Sequence, residues 1–172
     1  AIQLVRALTD LTVIATASRT ETQQWVRELG AHHVIDHNGD LAEQVEALGI
    51  GAPGFVFSTN NSERHIPGIQ RLIAPQGRFG LIDDPETLNV LDFKRKSVSV
   101  HWELMFTRPT YETPDMHEQG RLLNEVARLV DEGRIRTTAT AVLAPINAEN
   151  LKKAHRLIET GKARGKIVIE GF

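Results

Sequence analysis

Apolar residues recur along the chain at two spacings, and the spacing switches repeatedly. Ile2, Leu4, Val5 and Leu8 fall at helical intervals, so the chain opens on a helix. Leu11-Thr12-Val13-Ile14-Ala15-Thr16-Ala17 is a short apolar run rich in β-branched residues, the composition of a buried parallel strand. The pattern then predicts a helix over 20–29 stopped by Gly30 and a strand over 33–36. A helix over 41–48 follows, stopped by Gly49 and Gly51, then a strand over 55–57 and a helix over 66–73. Pro75-Gln76-Gly77 reads as a turn and 78–82 as the next strand. Strands and helices alternate through short connections. That order predicts an α/β fold with a parallel sheet covered by helices on both faces.

The second half has a different texture. Val98-Ser99-Val100-His101-Trp102 alternates and predicts a fifth strand, and the segment 107–114 carries two prolines and reads as a loop. Leu122, Leu123, Val126, Leu129 and Val130 form the apolar stripe of an amphipathic helix. Thr140 to Leu143 reads as a strand, Asn147 caps a helix over 148–159, and Lys166 to Ile169 is a terminal strand.

Composition narrows the function classes. With 41% hydrophobic and 24% charged residues, the composition is that of a globular protein and excludes disorder. The absence of cysteine excludes a disulfide scaffold, a thiolate nucleophile and a cysteine zinc site within these residues. A net charge of -2 argues against a nucleic-acid binder. No apolar run approaches the roughly 20 residues that span a bilayer, and no signal-peptide pattern opens the chain, so a cytoplasmic protein is expected. The 172 residues suit one domain. Yet the opening helix has no capping residue and no initiating Met before it, so a piece of a longer protein is expected.

In an alternating parallel sheet, ligands bind beyond the carboxyl ends of the strands. The informative positions are therefore Ser18 and Arg19, Asp36 and His37, Ser58 to Asn61, and Asp83 and Asp84. A carboxylate after the relevant strand would bond the ribose hydroxyls of NAD. Here the strand ends in Ser18-Arg19, and a hydroxyl beside a guanidinium suits a 2′-phosphate. The competing reading makes Ser18 a turn residue and Arg19 a solvated side chain. No GxGxxG fingerprint is present. The seven histidines have no metal-ligand spacing, and Lys94-Arg95-Lys96 reads as a solvated turn.

Several segments, taken in order, resemble the C-terminal half of the medium-chain dehydrogenase/reductase superfamily, in its quinone oxidoreductase and zinc-type alcohol dehydrogenase-like branch. They are 1–6, 13–18, 28–36 with its Leu29-Gly30-Ala31, Phe93-Lys94-Arg95-Lys96-Ser97 followed by His101-Trp102-Glu103-Leu104, and Ala163-Arg164-Gly165-Lys166-Ile167-Val168. The resemblance implies a Rossmann-type, doubly wound domain over 1–136 without its first strand and glycine-rich loop. It implies that 137–172 belongs with a GroES-like catalytic domain. It also implies NADPH as cofactor, hydride transfer to a carbonyl, quinone or activated alkene, and a homodimer paired near Val98 to Trp102. Zinc is not expected from these residues. Position by position, Ser18 and Arg19 would face the adenosine 2′-phosphate and His37 the adenosine. Ser58 and Thr59 would lie close to the cofactor, Ile82 and Asp83 near its nicotinamide half, and Arg164 and Lys166 within reach of its phosphates. No catalytic residue is implied. Two other readings compete: a non-catalytic nucleotide-binding or interaction module, and an unrelated doubly wound enzyme such as a methyltransferase. The second would want an acid where Ser18-Arg19 stands.

Overall fold

The computed structural model describes residues 1–171. They form seven helices and seven strands with one 3-10 turn, divided into two compact units, Ala1–Gly120 and Arg121–Phe172. The division falls within helix α6 (His117–Asp131), ahead of position 136.

In the first unit the order is α1 (Ile2–Leu8), β1 (Ile14–Thr16), α2 (Thr20–Glu28), β2 (His33–Ile35), α3 (Leu41–Ala47), β3 (Phe55–Ser58), α4 (Ser62–Leu72), β4 (Arg78–Leu81), the 3-10 turn Leu91–Lys96, β5 (Ser99–Trp102) and α5 (Thr107–Thr110). Every pairing is parallel, as β-α-β connections require. The strands form two separate sheets, β1–β2 and β3–β4–β5. Among the described residues, no strand pairs with the second edge of β1 or with the edge of β3 opposite β4.

The core lies between β4 and α4. Ile66, Ile69, Ile73, Phe79, Leu81 and Phe93 pack as one buried cluster, and the Phe79 and Phe93 rings stack with centroids 5.4 Å apart. Each such side chain contributes about 1.5–3 kcal/mol by leaving water. The turn entering β4 needs a glycine at 77, because a Cβ there would meet Ile73 Cγ1 at 2.7 Å and the Ala74 carbonyl at 2.8 Å. A smaller cluster of Ile35, Leu41 and Val45 joins β2 to α3.

Helix α4 begins at Ser62 rather than near Ile66, and both of its ends are capped from distant parts of the chain. Asp83 accepts from the backbone N–H of Ser62 at its start. Lys96 Nζ donates to the Arg71 and Ile73 carbonyls at its end, at 2.6 and 2.7 Å. An anion at the N-terminus and a cation at the C-terminus both complement the helix dipole. Lys96 is thus a cap, while its neighbours Lys94 and Arg95 share the 3-10 turn that buries Phe93. The segment expected as a loop after Thr107 contains the short helix α5.

The second unit holds the rest of α6, then β6 (Ala139–Leu143), α7 (Ala148–Glu159) and β7 (Lys166–Ile169). Strands β6 and β7 pair in parallel, with an irregularity between Ala139 and Ala141. Asn147 caps α7 by accepting from the Asn150 N–H at 2.8 Å.

Candidate functional site

A cleft of about 400 Å³ runs between the free edges of β1 and β3. Ile14 and Thr16 line it from β1, and Phe55 to Ser58 from β3. Ile35, His37 and His65 extend the wall, and Thr59, Asn60 and Asn61 form its polar end. The cleft follows both strands lengthwise, from Thr12 and Pro53 ahead of them to the Ser58–Asn61 turn, and that last end lies where ligands sit in open parallel sheets, beyond the carboxyl ends of the strands. Apolar walls with a few convergent hydroxyl and amide groups are the usual make-up of a small-molecule site.

The turn after β1 is held from several directions. The Ala17 N–H donates to the Ile35 carbonyl at 2.9 Å, and Gln23 Nε2 donates to the Ala17 carbonyl at 3.1 Å. Arg19 is extended and starts α2, its carbonyl accepting from the Thr22 hydroxyl at 2.8 Å. Its guanidinium forms an ion pair with Glu21 at 3.1 Å, and its side chain is 37% exposed. Ser18 is partly buried.

His37 follows β2 and lies edge-on to His65 of α4, with ring centroids 6.5 Å apart. Burial first, and then the charges of Arg64 and His37, hold His65 below its ordinary pKa. A second hollow beside the first is shared by His37, His65, Arg64 and the Asp40–Arg71 ion pair. Asp40 also caps α3, and the Glu43 N–H and the Arg71 guanidinium hold its carboxyl below the ordinary value.

A buried hydrogen-bond chain fixes the polar end of the cleft. Ser62 is fully buried. Its Oγ lies 2.6 Å from Ser58 Oγ and hydrogen-bonds Asp83 Oδ1, while its N–H donates to Asp83 Oδ2 at 2.8 Å. Burial alone would raise the Asp83 carboxyl, but the Ser62 hydroxyl and N–H outweigh it and hold the group below its ordinary pKa. Asn61 joins the two serines in the left-handed region, at φ 53°, a conformation asparagine tolerates better than most residues.

The structure thus brings His37, Ser58 and Thr59 to one cleft and adds His65, Asn60 and Asn61. Ser18 and Arg19 stand at the carboxyl end of β1. Ile82 is exposed directly after β4, its N–H donating to the Ser58 carbonyl at 3.2 Å, and the Asp83 carboxylate is engaged by Ser62. Arg164 and Lys166 belong to the second unit, where the Arg164 carbonyl accepts from Thr140 Oγ1 and Lys166 begins β7. His32 has a local role, its Nδ1 accepting from the Val13 N–H at 2.9 Å. Ser62 and His65 escape sequence reasoning because their partners lie 21 and 28 residues away, at Asp83 and His37.

A family profile described as zinc-binding dehydrogenase matches residues 29–169. The chain belongs to this family. It is 36% identical over 162 residues to a zinc-type alcohol dehydrogenase-like protein of Staphylococcus aureus (strain MSSA476), covering 92% of this chain and 48% of that protein. A Staphylococcus epidermidis protein of the same description is 32% identical over the same length. The chain spans about half the length of the curated relatives it matches. The crystal structure of a candidate zinc-dependent alcohol dehydrogenase from Rhizobium etli CFN 42 superposes with a TM-score of 0.96 at 67% identity, covering all of this chain and 50% of that one. An NAD-dependent alcohol dehydrogenase shares the fold at TM-score 0.79 and 22% identity, covering all of this chain and 47% of that one. The chain is thus the C-terminal nucleotide-binding part of a medium-chain dehydrogenase/reductase, an oxidoreductase family. Among the described residues, no three His, Cys, Asp or Glu side chains are grouped to hold a metal ion. No helix among them is long and apolar enough to cross a membrane.

Proposed function

We propose that the chain is the cofactor-binding part of an NADPH-dependent oxidoreductase that transfers hydride to a carbonyl, quinone or activated alkene. The observation that carries this reading is the polar end of the cleft, where Ser58 to Asn61 stand at the carboxyl end of β3 with His37 and His65 in the same wall. The donor set fits a dinucleotide. Hydroxyl and amide groups match ribose hydroxyls and a carboxamide, and the His37 and His65 rings offer aromatic surface to a heteroaromatic ring. When bound, the nicotinamide would supply the hydride; the protein's part is to bind, orient and exclude water. Ile14, Ile35 and Phe57 serve the exclusion, and Ser58, Thr59 and Asn61 the orientation.

Arg19 sets the preference for NADPH in this reading. Its present partner, Glu21, is an exposed ion pair worth about 0–1 kcal/mol. A charge-assisted bond to a 2′-phosphate is worth about 1.5–3 kcal/mol, enough to displace it. The same reading makes the free outer edge of β5, with Trp102 exposed, the pairing edge of a homodimer.

Titration with NADPH and NADH, followed by nicotinamide fluorescence, tests the proposal. NADPH is expected to bind at least about tenfold more tightly than NADH, and Arg19→Ala to abolish the difference. Equal affinity for both in the wild-type protein would end the NADPH assignment, and binding of neither would end the cofactor reading.

A further inference from the structure

We propose that Asp83 is a positioning residue that acts through Ser62 to present Ser58 Oγ to the ligand as a hydrogen-bond acceptor, without touching the ligand itself. The proposal rests on the reading of the cleft as a dinucleotide site.

The argument is one of proton accounting. Asp83 uses both carboxylate oxygens on a single residue: Oδ2 accepts the Ser62 N–H and Oδ1 is bonded to the Ser62 hydroxyl. An ionised carboxylate only accepts, and a serine hydroxyl has one proton to give. Ser62 Oγ has two oxygen neighbours, Asp83 Oδ1 and Ser58 Oγ. Its proton goes to the anion, the stronger acceptor. The bond between the two serines must then be made by the Ser58 proton, pointing inward to Ser62. Ser62 is fully buried, so no water competes for these bonds. Ser58 Oγ is left with a lone pair and no proton to offer the cleft that its residue lines. The cleft therefore selects for a ligand donor at that point, such as a ribose hydroxyl or a carboxamide N–H.

The backbone serves the same end. The Ser58 carbonyl is held by the Ile82 N–H, and Asn61 turns the chain in the left-handed region immediately before Ser62. Asp83 thus ties the carboxyl end of β4 to the start of α4, and the Thr59–Asn61 wall spans the short interval from Ser58 to Ser62.

A double-mutant cycle on cofactor affinity tests the relay. Asp83→Asn keeps the size of the side chain but replaces one accepting oxygen with an amide that can only donate, which disturbs the proton order. It is expected to weaken NADPH binding about tenfold, as is Ser58→Ala, and the double variant is expected to be no weaker than about tenfold. A purely structural Asp83 would give effects that multiply, and multiplication overturns the proposal. Ser62→Ala is the second variant. It cuts the hydroxyl link but keeps the N–H to Asp83 bond, so the helix cap remains, and it too should weaken binding several-fold. Wild-type affinity in Ser62→Ala or in folded Asp83→Asn overturns the relay alone. No binding of NADPH or NADH by the wild-type protein overturns the cofactor reading and the relay together.

Discussion

The two units solve the same packing problem to different extents. In the first, Phe79, Leu81, Ile73 and Phe93 are all but inaccessible to water, and α4 is capped at both ends by residues from other elements. In the second, Leu129, Ile135 and Ala154 are the buried hydrophobic side chains among the described residues. Leu122, Leu123, Val142, Leu151, Leu157 and Ile158 are exposed there, although α6 and α7 are both amphipathic. Amphipathic patterning alone therefore does not build a core; the stripe also needs a facing surface. The first unit finds one in its own sheet, and the contrast predicts unequal responses to substitution.

The largest effect is expected in the first core. Phe79→Ala removes a fully buried ring stacked on Phe93, and a cost of about 3–5 kcal/mol is expected in chemical denaturation. A loss below 1 kcal/mol would mean that this core is not the stabilising one. Next comes the remote cap. Lys96→Met keeps the length of the side chain but leaves the Arg71 and Ile73 carbonyls without their donor, at a cost of about 1–3 kcal/mol. An unchanged midpoint would show that water replaces the ammonium at no loss. The smallest effect belongs to the second unit. Leu122→Gln, on a side chain 59% exposed, should fall within about 0.5 kcal/mol of wild type. A loss as large as that of Phe79→Ala would erase the contrast and show that this face is covered in solution.

How far the sequence reveals all this follows the range of the interactions. The alternation of strand and helix, the Gly30 stop and the Asn147 cap are local, and each is legible from a few neighbouring residues. The parallel pairing follows from that alternation. The true start of α4 is not legible. Nothing before Ser62 provides a side-chain cap, Pro67 interrupts the pattern, and the capping carboxylate comes from Asp83, 21 residues on. Lys96 hides for the same reason, inside a basic tripeptide whose local reading is a solvated turn. Phe93 is a single aromatic among charges, without periodicity to mark it as core. At the site, His37, Ser58 and Thr59 can be placed from strand ends, whereas His65 and Ser62 emerge only when β2, β4 and α4 are packed together. Ser18 and Arg19 are legible as the end of β1, but the Glu21 partner that the phosphate must displace is visible only in the folded turn.

Hydrogen exchange measured with and without NADPH tests the central claim most directly, because it reports where the cofactor sits. The account predicts slower exchange at the amides of His37 and of Ser58 to Asn61 on saturation with NADPH, along the cleft between β1 and β3. NADPH binding that leaves those amides unchanged would place the cofactor elsewhere and contradict the account.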